Sequence, residues 1–441
     1  MKGKGHSKAA IRTVTCLLTS ALVLETLSGC GMSGKTASDN GSETFVPALD
    51  TDIEATVDIV GLLENFESLE SVIKDFNQIY PKAVINYSKM DDYKDTLPVK
   101  ALSDNPPEIF MSYRNYFMDN KQLVDNMLDL TDLKLDTGIF SEKVAKSSMY
   151  DGKMLRIPLM LNYQGMAVNT SLLEKEGLKI PTTFKEFTSV CDALISKGYT
   201  PVQGYPDMVY PNLLYNEWGI RLARDKDGAA IMDALNKGSE GCGEYLRSEF
   251  SVLDDYRQKG YYDDAINQTI GDNYDKSILH FFEGNTPFLV CSTETMSGMK
   301  KRETKSEEFT KNPFTYEFCI LPVTDYGTTA LVSVWDSFSI LKNSDQIELA
   351  KEFLRFLVSK KELNQMAQIK GLPTAIEGGN DDQRFTSLNS IPEDEKMYSN
   401  EIGFTTAVTS AYKKYACLVA EGKCSVDEAV SGFPQEVRNS T

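Results

Sequence analysis

The residues of this sequence best suited to chemistry are polar and aromatic side chains in predicted loops, several of them directly after a strand. They are Glu64, Asn65, Tyr113, Arg114, Asn115, Tyr210, Tyr215, Trp218, Thr293 and Glu294. Aromatic rings stack on the C–H faces of sugars, while planar amides, carboxylates and guanidinium groups hydrogen-bond hydroxyls. In open sheets, ligands bind beyond the carboxyl ends of the strands. The set indicates a site for a polyhydroxylated solute, although each aromatic residue is also compatible with a packed core.

Motifs for catalysis and metal binding are missing from the sequence. It contains no P-loop, no dinucleotide-binding G-x-G-x-x-G and no G-x-S-x-G motif. His280 is the single histidine after residue 6, and no cysteines form a C-x-x-C pair. The sequence therefore has few of the residues that a zinc site or a histidine-dependent hydrolase requires. The acidic turn at 225–228 lacks the last carboxylate of a calcium loop. We predict no enzyme activity, no cofactor and no metal, with Cys417 and Cys424 either bridged or free.

The amino terminus has the features of a lipoprotein signal. A basic start is followed by an apolar stretch at 13–27 that is too short to span a membrane stably. It ends in Leu27-Ser28-Gly29-Cys30, the order of a lipobox, in which the Cys30 thiol receives diacylglycerol. We predict a signal peptide at 1–29, lipidated Cys30, and a flexible tether up to residue 52. The protein would then lie on the outer face of the bacterial cytoplasmic membrane, attached through lipid only.

The rest of the chain is long and acidic. Its length of roughly 390 residues exceeds what one hydrophobic core usually serves, so we expect two lobes. The full sequence carries a net charge of −18. Residues 1–29 hold four Lys or Arg and one Glu, so the charge without them is about −21. Nucleic-acid binding depends on basic groups that neutralise phosphates. The charge therefore argues against a nucleic acid and suits a neutral or cationic solute.

Strand and helix patterns alternate along this body. Apolar segments predict strands at 55–60, 83–87, 109–111, 155–161 and 166–168, and helical periodicity predicts helices at 69–80 and 347–358 and from Val426. Thr183 and Glu186 have the spacing of a capping box at a helix start. Strand–helix–strand order predicts an α/β fold in which helices cover parallel sheets.

Eight short segments carry a family resemblance. They are Pro107–Phe110, Tyr150–Lys153, Ile157–Leu159, Val168–Leu173, Gly177–Phe187, Phe281–Phe288 and Leu349–Leu357 with Leu372–Thr374. In this order they resemble segments of the family 1 extracellular solute-binding proteins of bacterial ABC transporters, which bind sugars. The resemblance runs from about residue 55 to the carboxyl terminus. Glu108 stands where the family usually has Asp, Phe184 where it has Trp, and Pro287-Phe288 where it has Ala-Met.

The resemblance implies a type II periplasmic-binding-protein fold, in which two lobes enclose a ligand cleft and are joined by a multi-crossing hinge. It implies chain crossings near 160–163, 334–337 and 373–377. The lobes would be 53–160 plus 337–374, and 163–333 plus 378–441. Residues at the first two crossings then join the candidate ligand set, namely Asn162, Tyr163, Trp335 and Asp336.

The function that the resemblance implies is solute capture without a reaction. The protein, a monomer, would close on a mono- or oligosaccharide and deliver it to the permease subunits of an ABC importer. Three alternatives remain open at this point. The same fold could bind a peptide, polyamine or metal chelate. An exported glycan hydrolase would need an acid pair in a cleft, which no motif indicates. A surface adhesion lipoprotein would lack a closing hinge.

Overall fold

One sheet of mixed strand direction organises the fold. The computed structural model describes residues 45–112, 120–134, 139–212, 222, 225–322, 329–377 and 382–440. Its strands are β1 (Thr56–Gly61), β2 (Val84–Lys89), β3 (Ile109–Met111), β4 (Met149–Tyr150), β5 (Lys153–Met154), β6 (Ile157–Asn169), β7 (Val202–Gln203), β8 (Phe288–Ser292), β9 (Tyr316–Cys319), β10 (Ala330–Ile340) and β11 (Lys396–Tyr398). Within these ranges the sheet has the order β2-β1-β3-β10-β6-β8-β7, with β11 beside β10 and β9 beside β6, while β4 and β5 form a separate pair.

Helices connect most of these strands. They are α1 (Glu67–Ile79), α2 (Tyr93–Ala101), α3 (Lys121–Asn126), α4 (Glu142–Ser147), α5 (Thr170–Glu176), α6 (Phe184–Ser196), α7 (Gly228–Asn236), α8 (Arg247–Lys259), α9 (Asp264–Ile270), α10 (Tyr274–Phe281), α11 (Thr293–Glu303), α12 (Glu307–Lys311), α13 (Ile347–Leu357), α14 (Lys360–Lys370), α15 (Ser399–Ile402), α16 (Thr406–Ala420) and α17 (Val426–Asn439). Residues 206–212 are also helical. None of the helices in the described ranges is long and apolar enough to cross a membrane.

The first strand–helix–strand unit forms where the sequence predicts it. β1 buries Val57 and Ile59 completely and pairs in parallel with β2. α1 ends before Pro81, a residue that cannot continue a helix. Its buried apolar side chains follow a spacing of three and four residues, which predicts one helix face: Leu69, Val72 and Phe76. The predicted helices at 347–358 and from Val426 are confirmed as α13 and α17.

The capping box predicted at the start of α6 is half formed. The Thr183 hydroxyl accepts a hydrogen bond from the Glu186 amide at 3.2 Å, as predicted. The Glu186 carboxylate, however, accepts from the amide of Thr182 at 2.9 Å instead of from Thr183. At the start of α17 the capping box is complete, because the Ser425 hydroxyl accepts from the Glu428 amide and the Glu428 carboxylate accepts from the Ser425 amide. The helix start was therefore predicted correctly, and the reciprocal partner is displaced by one residue.

The prediction of parallel sheets is wrong for the centre of the sheet. β1 pairs in parallel with β2 and β3, and β7 pairs in parallel with β8. β6, however, is one strand of 13 residues where the sequence predicted two segments, and it pairs antiparallel with β10, β8 and β9. β6 is buried along nearly its whole length, so its hydrophobicity gives no signal of strand direction. The α/β class itself is confirmed.

Buried apolar side chains form two large clusters within one compact unit that spans Thr44–Thr441. The first cluster lies along β1, β3 and β10 and includes side chains of α1, α13 and α14. The second includes Met166 and Val168 of β6 with α6, α8, α16 and α17. Phe281 and Met296, which the predicted boundaries assign to the second lobe, belong to the first cluster. The lobe boundaries therefore stay a prediction.

The segment predicted as a flexible tether up to residue 52 is packed structure from Phe45 onward. The Phe45 ring meets the Phe356 ring edge-on with 5.1 Å between centroids. The Arg355 guanidinium lies 4.1 Å from the Phe45 centroid. The Ala48 amide donates to the Glu352 carboxylate at 2.8 Å. The prediction of a tether is thus wrong for residues 45–52, because α13 supplies a ring, a cation and a carboxylate that hold this segment.

Cys417 and Cys424 are not bridged. Each of the cysteines at positions 191, 242, 291, 319, 417 and 424 is a free thiol. The Cys417 sulfur lies 3.9 Å from the Pro206 carbonyl oxygen, and burial raises the pKa of this thiol to about 12. Of the two alternatives that the sequence left open, the structure contains the free pair.

Candidate functional site

The three predicted crossing segments lie side by side. β10 pairs antiparallel with β6 from Val332 to Phe338. On the opposite edge of β6, the Leu161 amide donates to the Pro373 carbonyl at 2.8 Å. Met160 and Thr374 form an isolated antiparallel bridge at the same place. The chain therefore passes through one region three times, which is the arrangement expected of a hinge.

β10 is irregular where it passes through this region. Its register with β6 shifts between Val334 and Asp336, and again between Asp336 and Ser337. Irregularities of this kind bend a strand and redirect its side chains. The shifts occur at Trp335 and Asp336, two of the predicted ligand residues.

Four side chains from different elements form a cluster beside these strands. An Asp336 carboxylate oxygen lies 3.5 Å from the Lys370 ammonium at the end of α14. The same ammonium lies 5.1 Å from the centroid of the Phe66 ring, and the Phe66 and Tyr87 centroids are 5.2 Å apart. Asp336 is 1% exposed, whereas the Lys370 side chain is 22% exposed. Water or a solute therefore reaches this ion pair from the lysine side. We call Phe66, Tyr87, Asp336 and Lys370 the hinge cluster.

Tyr87 also fixes the loop that follows β1. Its hydroxyl donates to the Leu63 carbonyl at 2.9 Å and accepts from the Leu63 amide at 3.0 Å. A Cβ atom on Gly61 would lie 2.7 Å from the Tyr87 hydroxyl oxygen, so the tyrosine occupies this position because residue 61 is glycine. Burial raises the pKa of Tyr87 to about 12, with a smaller contribution in the same direction from Asp336. The hydroxyl therefore stays neutral and holds the loop at physiological pH.

Asn162 holds the start of α11 against β6. Its amide oxygen accepts hydrogen bonds from the Thr293 hydroxyl and the Glu294 backbone amide, each at 3.0 Å. The first residue before α11, Ser292, makes no side-chain cap. Asn162 thus supplies from another element the acceptor that a helix start requires. The structure brings together Asn162, Thr293 and Glu294, three residues that the sequence placed at two separate positions.

The other two crossing residues are deeply buried. Tyr163 is 4% exposed, and its backbone amide donates to the Thr293 hydroxyl at 3.1 Å. Burial raises the pKa of the Tyr163 hydroxyl, and the charge of Glu393 acts in the same direction. Trp335 is also buried and belongs to the first apolar cluster. Both residues lie on the paired strands β6 and β10, and both pack in the first apolar cluster.

Tyr210 lies in the second apolar cluster. Its hydroxyl donates to the Asp264 carboxylate at 2.7 Å and accepts from the Asn267 amide at 3.2 Å. Its ring packs on Tyr262 with 4.8 Å between centroids. The side chain is completely buried, so its geometry favours a packing role over the predicted contact with a ligand.

The remaining predicted residues are exposed or lie outside the described ranges. Glu64 and Asn65 are exposed after β1, and the Glu64 carboxylate forms an ion pair with Lys89 at 2.7 Å. Tyr113, Arg114, Asn115, Tyr215 and Trp218 lie outside the described residues.

Sequence reasoning missed three members of the hinge cluster. Phe66, Tyr87 and Lys370 come from a helix boundary, a strand and a helix end that are far apart in the chain. Lys370 had one local signal, since it precedes Gly371, which adopts a left-handed φ of 70° and ends α14 just before the third crossing. Phe66 and Tyr87 had none, because only tertiary pairing of β1 with β2 brings them to this edge.

Two surface cavities lie elsewhere. One of about 540 Å³ lies between α9 and α10 and is lined by Ile266, Ile270, Leu279 and His280 among others. The His280 Nδ1 atom lies 2.9 Å from a Glu283 carboxylate oxygen, and the side chain is half-buried, as the sequence indicated. Another of about 540 Å³ is lined by Phe314, Tyr316 and Arg384. We place the candidate site at the hinge, because neither cavity contains residues of the crossing segments.

The acidic turn considered for calcium binding and the adjacent tyrosines Tyr261 and Tyr262, a residue type that can ligate iron, have other roles. Within the described ranges no group of three or more His, Cys, Asp or Glu side chains is arranged to hold a metal ion. The acidic turn at 225–228 leads into α7. The Tyr261 hydroxyl donates to the Asp192 carboxylate at 2.6 Å, and the Tyr262 hydroxyl donates to the Ala420 carbonyl at 2.8 Å. These tyrosines are buried packing residues.

Two known proteins, one compared by sequence and one by structure, resemble this chain over most of its length. The multiple sugar-binding protein of Streptococcus mutans serotype c (strain ATCC 700610 / UA159) is 21% identical over 362 residues, which cover 78% of this chain and 82% of that protein. The apo-form of RafE from Streptococcus pneumoniae has a similar structure, with a TM-score of 0.69 and 17% identity, over 89% of this chain and 100% of RafE.

A sugar transporter from Bacillus licheniformis, solved in complex with stachyose, also shares the fold. Its TM-score is 0.61 at 16% identity, and the match covers 87% of this chain and 99% of that one. The likeness extends over nearly the whole of both solved structures, so the predicted fold is confirmed. The sequence profile of the bacterial extracellular solute-binding proteins matches residues 61–363, and this chain therefore belongs to the bacterial extracellular solute-binding protein family.

Proposed function

We propose that this protein is the solute-binding component of a bacterial ABC importer and that it captures a mono- or oligosaccharide by hinge closure. The observation that carries the proposal is the hinge cluster, in which two aromatic rings and an ion pair lie beside three crossing segments. The names of the relatives support a sugar, since one is a multiple sugar-binding protein and another was solved with stachyose.

The chemistry of the hinge cluster fits a sugar ring. The partly exposed Tyr87 ring, which packs edge-on against the buried Phe66 ring, supplies apolar surface, which suits the C–H face of a pyranose. Lys370 carries three N–H donors, and its half-buried ammonium group lies at the exposed side of the cluster. Asp336 compensates the charge of Lys370, so the cluster has no net charge to attract an ion. This balance favours a neutral polyhydroxylated solute over a polyamine or an acidic peptide.

The hinge explains how binding changes the conformation. The predicted lobes, 53–160 plus 337–374 and 163–333 plus 378–441, meet at the three crossing segments. A solute shifts a conformational equilibrium only through contacts that differ between the two states. Lys370 and Phe66 belong to one predicted lobe, Glu294 belongs to the other, and Asp336 lies in the crossing segment at 334–337. A sugar that touches both sets gains contacts only when the lobes approach each other.

The remaining parts of the proposal concern the assembly. The monomeric protein would deliver the sugar to permease subunits, where a separate subunit hydrolyses ATP, and it would catalyse no reaction itself. It would be exported by residues 1–29 and attached to the outer face of the membrane through lipidated Cys30. Metabolic labelling with a fatty-acid analogue, with a Cys30→Ser control, tests the attachment: label that persists in the variant would contradict it.

The test of the sugar proposal is a thermal-shift and calorimetric screen of the purified protein. The ligand panel contains mono-, di- and oligosaccharides such as raffinose and stachyose, together with peptides and polyamines. A ligand that binds only the folded state stabilises it by about 2.7 kcal/mol at a hundred times its Kd, so we expect a clear rise in Tm with one class of sugar. The sugar must be recovered chemically unchanged.

Two controls sharpen this screen. Lys370→Met removes the charged end of the hinge cluster while it keeps a long apolar side chain, and we expect it to weaken sugar binding. Lys237→Met is the matched control, because Lys237 forms an exposed ion pair with Asp233 on α7. A rise in Tm with a peptide or polyamine and with no sugar would overturn the proposed solute. Conversion of the sugar into a product would overturn the absence of catalysis.

A further inference from the structure

Two neighbouring side chains of β6 have complementary polar atoms that the structure leaves unused. The amide nitrogen of Asn162 is buried and has no hydrogen-bond partner among the described residues, and the same holds for the amide oxygen of Gln164. One atom is a donor and the other an acceptor. Buried amide groups in proteins are normally paired, so each of these two atoms requires an explanation.

The two atoms belong to one face of one strand. Side chains of a strand alternate between its faces, so residues 162 and 164 point to the same side with about 7 Å between their Cα atoms. A single oxygen at about 2.9 Å from each partner spans up to about 5.8 Å, so the subsite requires the longer Gln164 side chain to bring its amide oxygen within that span of the Asn162 nitrogen. The start of α11 lies beside them, since Gln164 pairs with Ser292 and Asn162 bonds Glu294.

The Asp336 carboxylate oxygen that is also buried at the hinge faces the Lys370 ammonium at 3.5 Å. The other buried polar atoms without partners in the described chain lie on other elements, and Thr329 comes just before β10. Ser68 and Asn77 lie on α1, and Glu362 and Asn364 lie on α14. Gln203 lies on β7, and its nitrogen donates to the Ser277 carbonyl at 3.2 Å. Asn162 and Gln164, in contrast, lie on the strand through which both predicted lobes are connected.

We infer that Asn162 and Gln164 form a hydroxyl-specific subsite at the hinge, an inference that rests on the proposed sugar-binding function. A hydroxyl group can accept from the Asn162 nitrogen and donate to the Gln164 oxygen at the same time. A carboxylate has no hydrogen to offer Gln164, and an ammonium group has no lone pair for Asn162. The subsite therefore takes an unmodified sugar hydroxyl and rejects a uronate or an amine at that position.

The subsite also couples binding to the hinge. Asn162 uses its amide oxygen to hold the first turn of α11 and keeps its nitrogen for the solute. In this structure the nitrogen is covered, and it lies on the strand that the crossing segments flank. Binding therefore requires a hinge angle at which this nitrogen is uncovered. The bound hydroxyl then supplies the partner that the protein lacks, so the occupied arrangement is favoured over the empty one.

The test is a set of matched variants titrated by calorimetry with the sugar that binds best in the raffinose and stachyose panel. Asn162→Asp keeps the oxygen that holds α11 and loses the donor. Gln164→Met keeps the length of the side chain and loses the acceptor. We expect each variant to bind the sugar about 10-fold or more weakly, while the Tm without sugar changes little. Gln203→Met removes another buried amide outside the hinge and should bind as the wild type does.

Methylated sugars make the assignment specific. Methylation of the bridging hydroxyl removes its donor, so it should weaken binding to the wild type and have no further effect in Gln164→Met. The subsite is overturned if both variants bind the sugar within about twofold of the wild type. It is also overturned if the variants are less stable but bind the sugar as the wild type does, because a fixed internal water between the two amides would give that result. If the wild type binds no sugar, the proposed function itself fails and the subsite with it.

Discussion

Two asparagines of this molecule are equally buried and differ in how their amides are used. Asn162 in the hinge and Asn267 in the second apolar cluster are each 1% exposed. Asn267 uses both ends of its amide: the oxygen accepts from the Gly204 backbone amide at 3.4 Å, and the nitrogen donates to the Tyr210 hydroxyl at 3.2 Å. Asn162 uses its oxygen twice, whereas its nitrogen has no partner among the described residues.

This difference indicates that the two asparagines have different roles, one in stability and one in binding. A buried donor without an acceptor costs about 1–3 kcal/mol, so a fold that only needed stability would pair the nitrogen of Asn162 as it pairs that of Asn267. The satisfied amide connects α9 to the helical segment of Tyr210 and fixes the second cluster. The half-satisfied amide lies on the strand where the chain crosses three times. We therefore expect changes at Asn267 to affect stability and changes at Asn162 to affect sugar binding.

Asn267→Ala should give the largest loss of stability at this pair of sites. It leaves the Gly204 amide without its side-chain acceptor and the Tyr210 hydroxyl without a donor, so we expect the free energy of unfolding to fall by about 2–3 kcal/mol. Urea unfolding measures this change. Sugar affinity, measured below the onset of unfolding, should stay within about twofold of the wild type. A variant as stable as the wild type would show that the satisfied amide is not structural.

Tyr210→Phe should have a smaller effect, of about 1 kcal/mol at pH 7, because it removes one hydroxyl and keeps the ring. Its pH dependence is more informative. Burial, supported by the hydrogen bond to Asp264, raises the pKa of Tyr210 above its ordinary value of 10. The unfolded chain ionises from pH 10 upward and the folded chain does not, so the stability that the hydroxyl contributes is complete below pH 10 and is lost as the pH rises.

Each pH unit above 10 should therefore lower the stability of the wild type relative to Tyr210→Phe by up to about 1.4 kcal/mol, so the difference of about 1 kcal/mol at pH 7 vanishes and reverses by about pH 11. Urea unfolding of both proteins at pH 8 and pH 11 measures it. A difference that stays constant between these two pH values would mean that Tyr210 ionises in the folded protein as readily as in the unfolded one, which its burial does not allow.

The sequence predicted the local elements of this fold well and its long-range contacts poorly. α1 was visible because its buried residues recur every three or four positions, and its end was marked by Pro81. β6 was predicted as two strands, because Asn162 and Gln164 interrupt an apolar run with polar residues. β6 is continuous across this interruption, so the polar residues were misinterpreted as a break in the strand.

The site required tertiary contacts that no local pattern contains. Asp336 was placed at the hinge through the family resemblance, but its partner Lys370 follows 34 positions later and meets it only because α14 ends there. Tyr210 was predicted as a ligand residue from its aromatic surroundings, and its actual partners, Asp264 and Asn267, lie more than 50 positions away. Spacing along the chain cannot distinguish a ring that faces a solute from one that faces its own helix.

Glu64→Ala should have the smallest effect on stability. It tests, for a residue at the surface, whether sugar binding and stability can be changed separately. Glu64 is 76% exposed in its ion pair with Lys89, and water screens such a pair so that its loss changes Tm little. The loop after β1 is nevertheless held by Tyr87 beside the hinge cluster. If this loop faces the solute, as its position after a strand predicts, Glu64→Ala weakens sugar binding at an unchanged Tm. Unchanged affinity would confine the site to the hinge cluster and the subsite on β6, where every polar group is buried or half-buried. Calorimetric titration beside a thermal melt decides between the two.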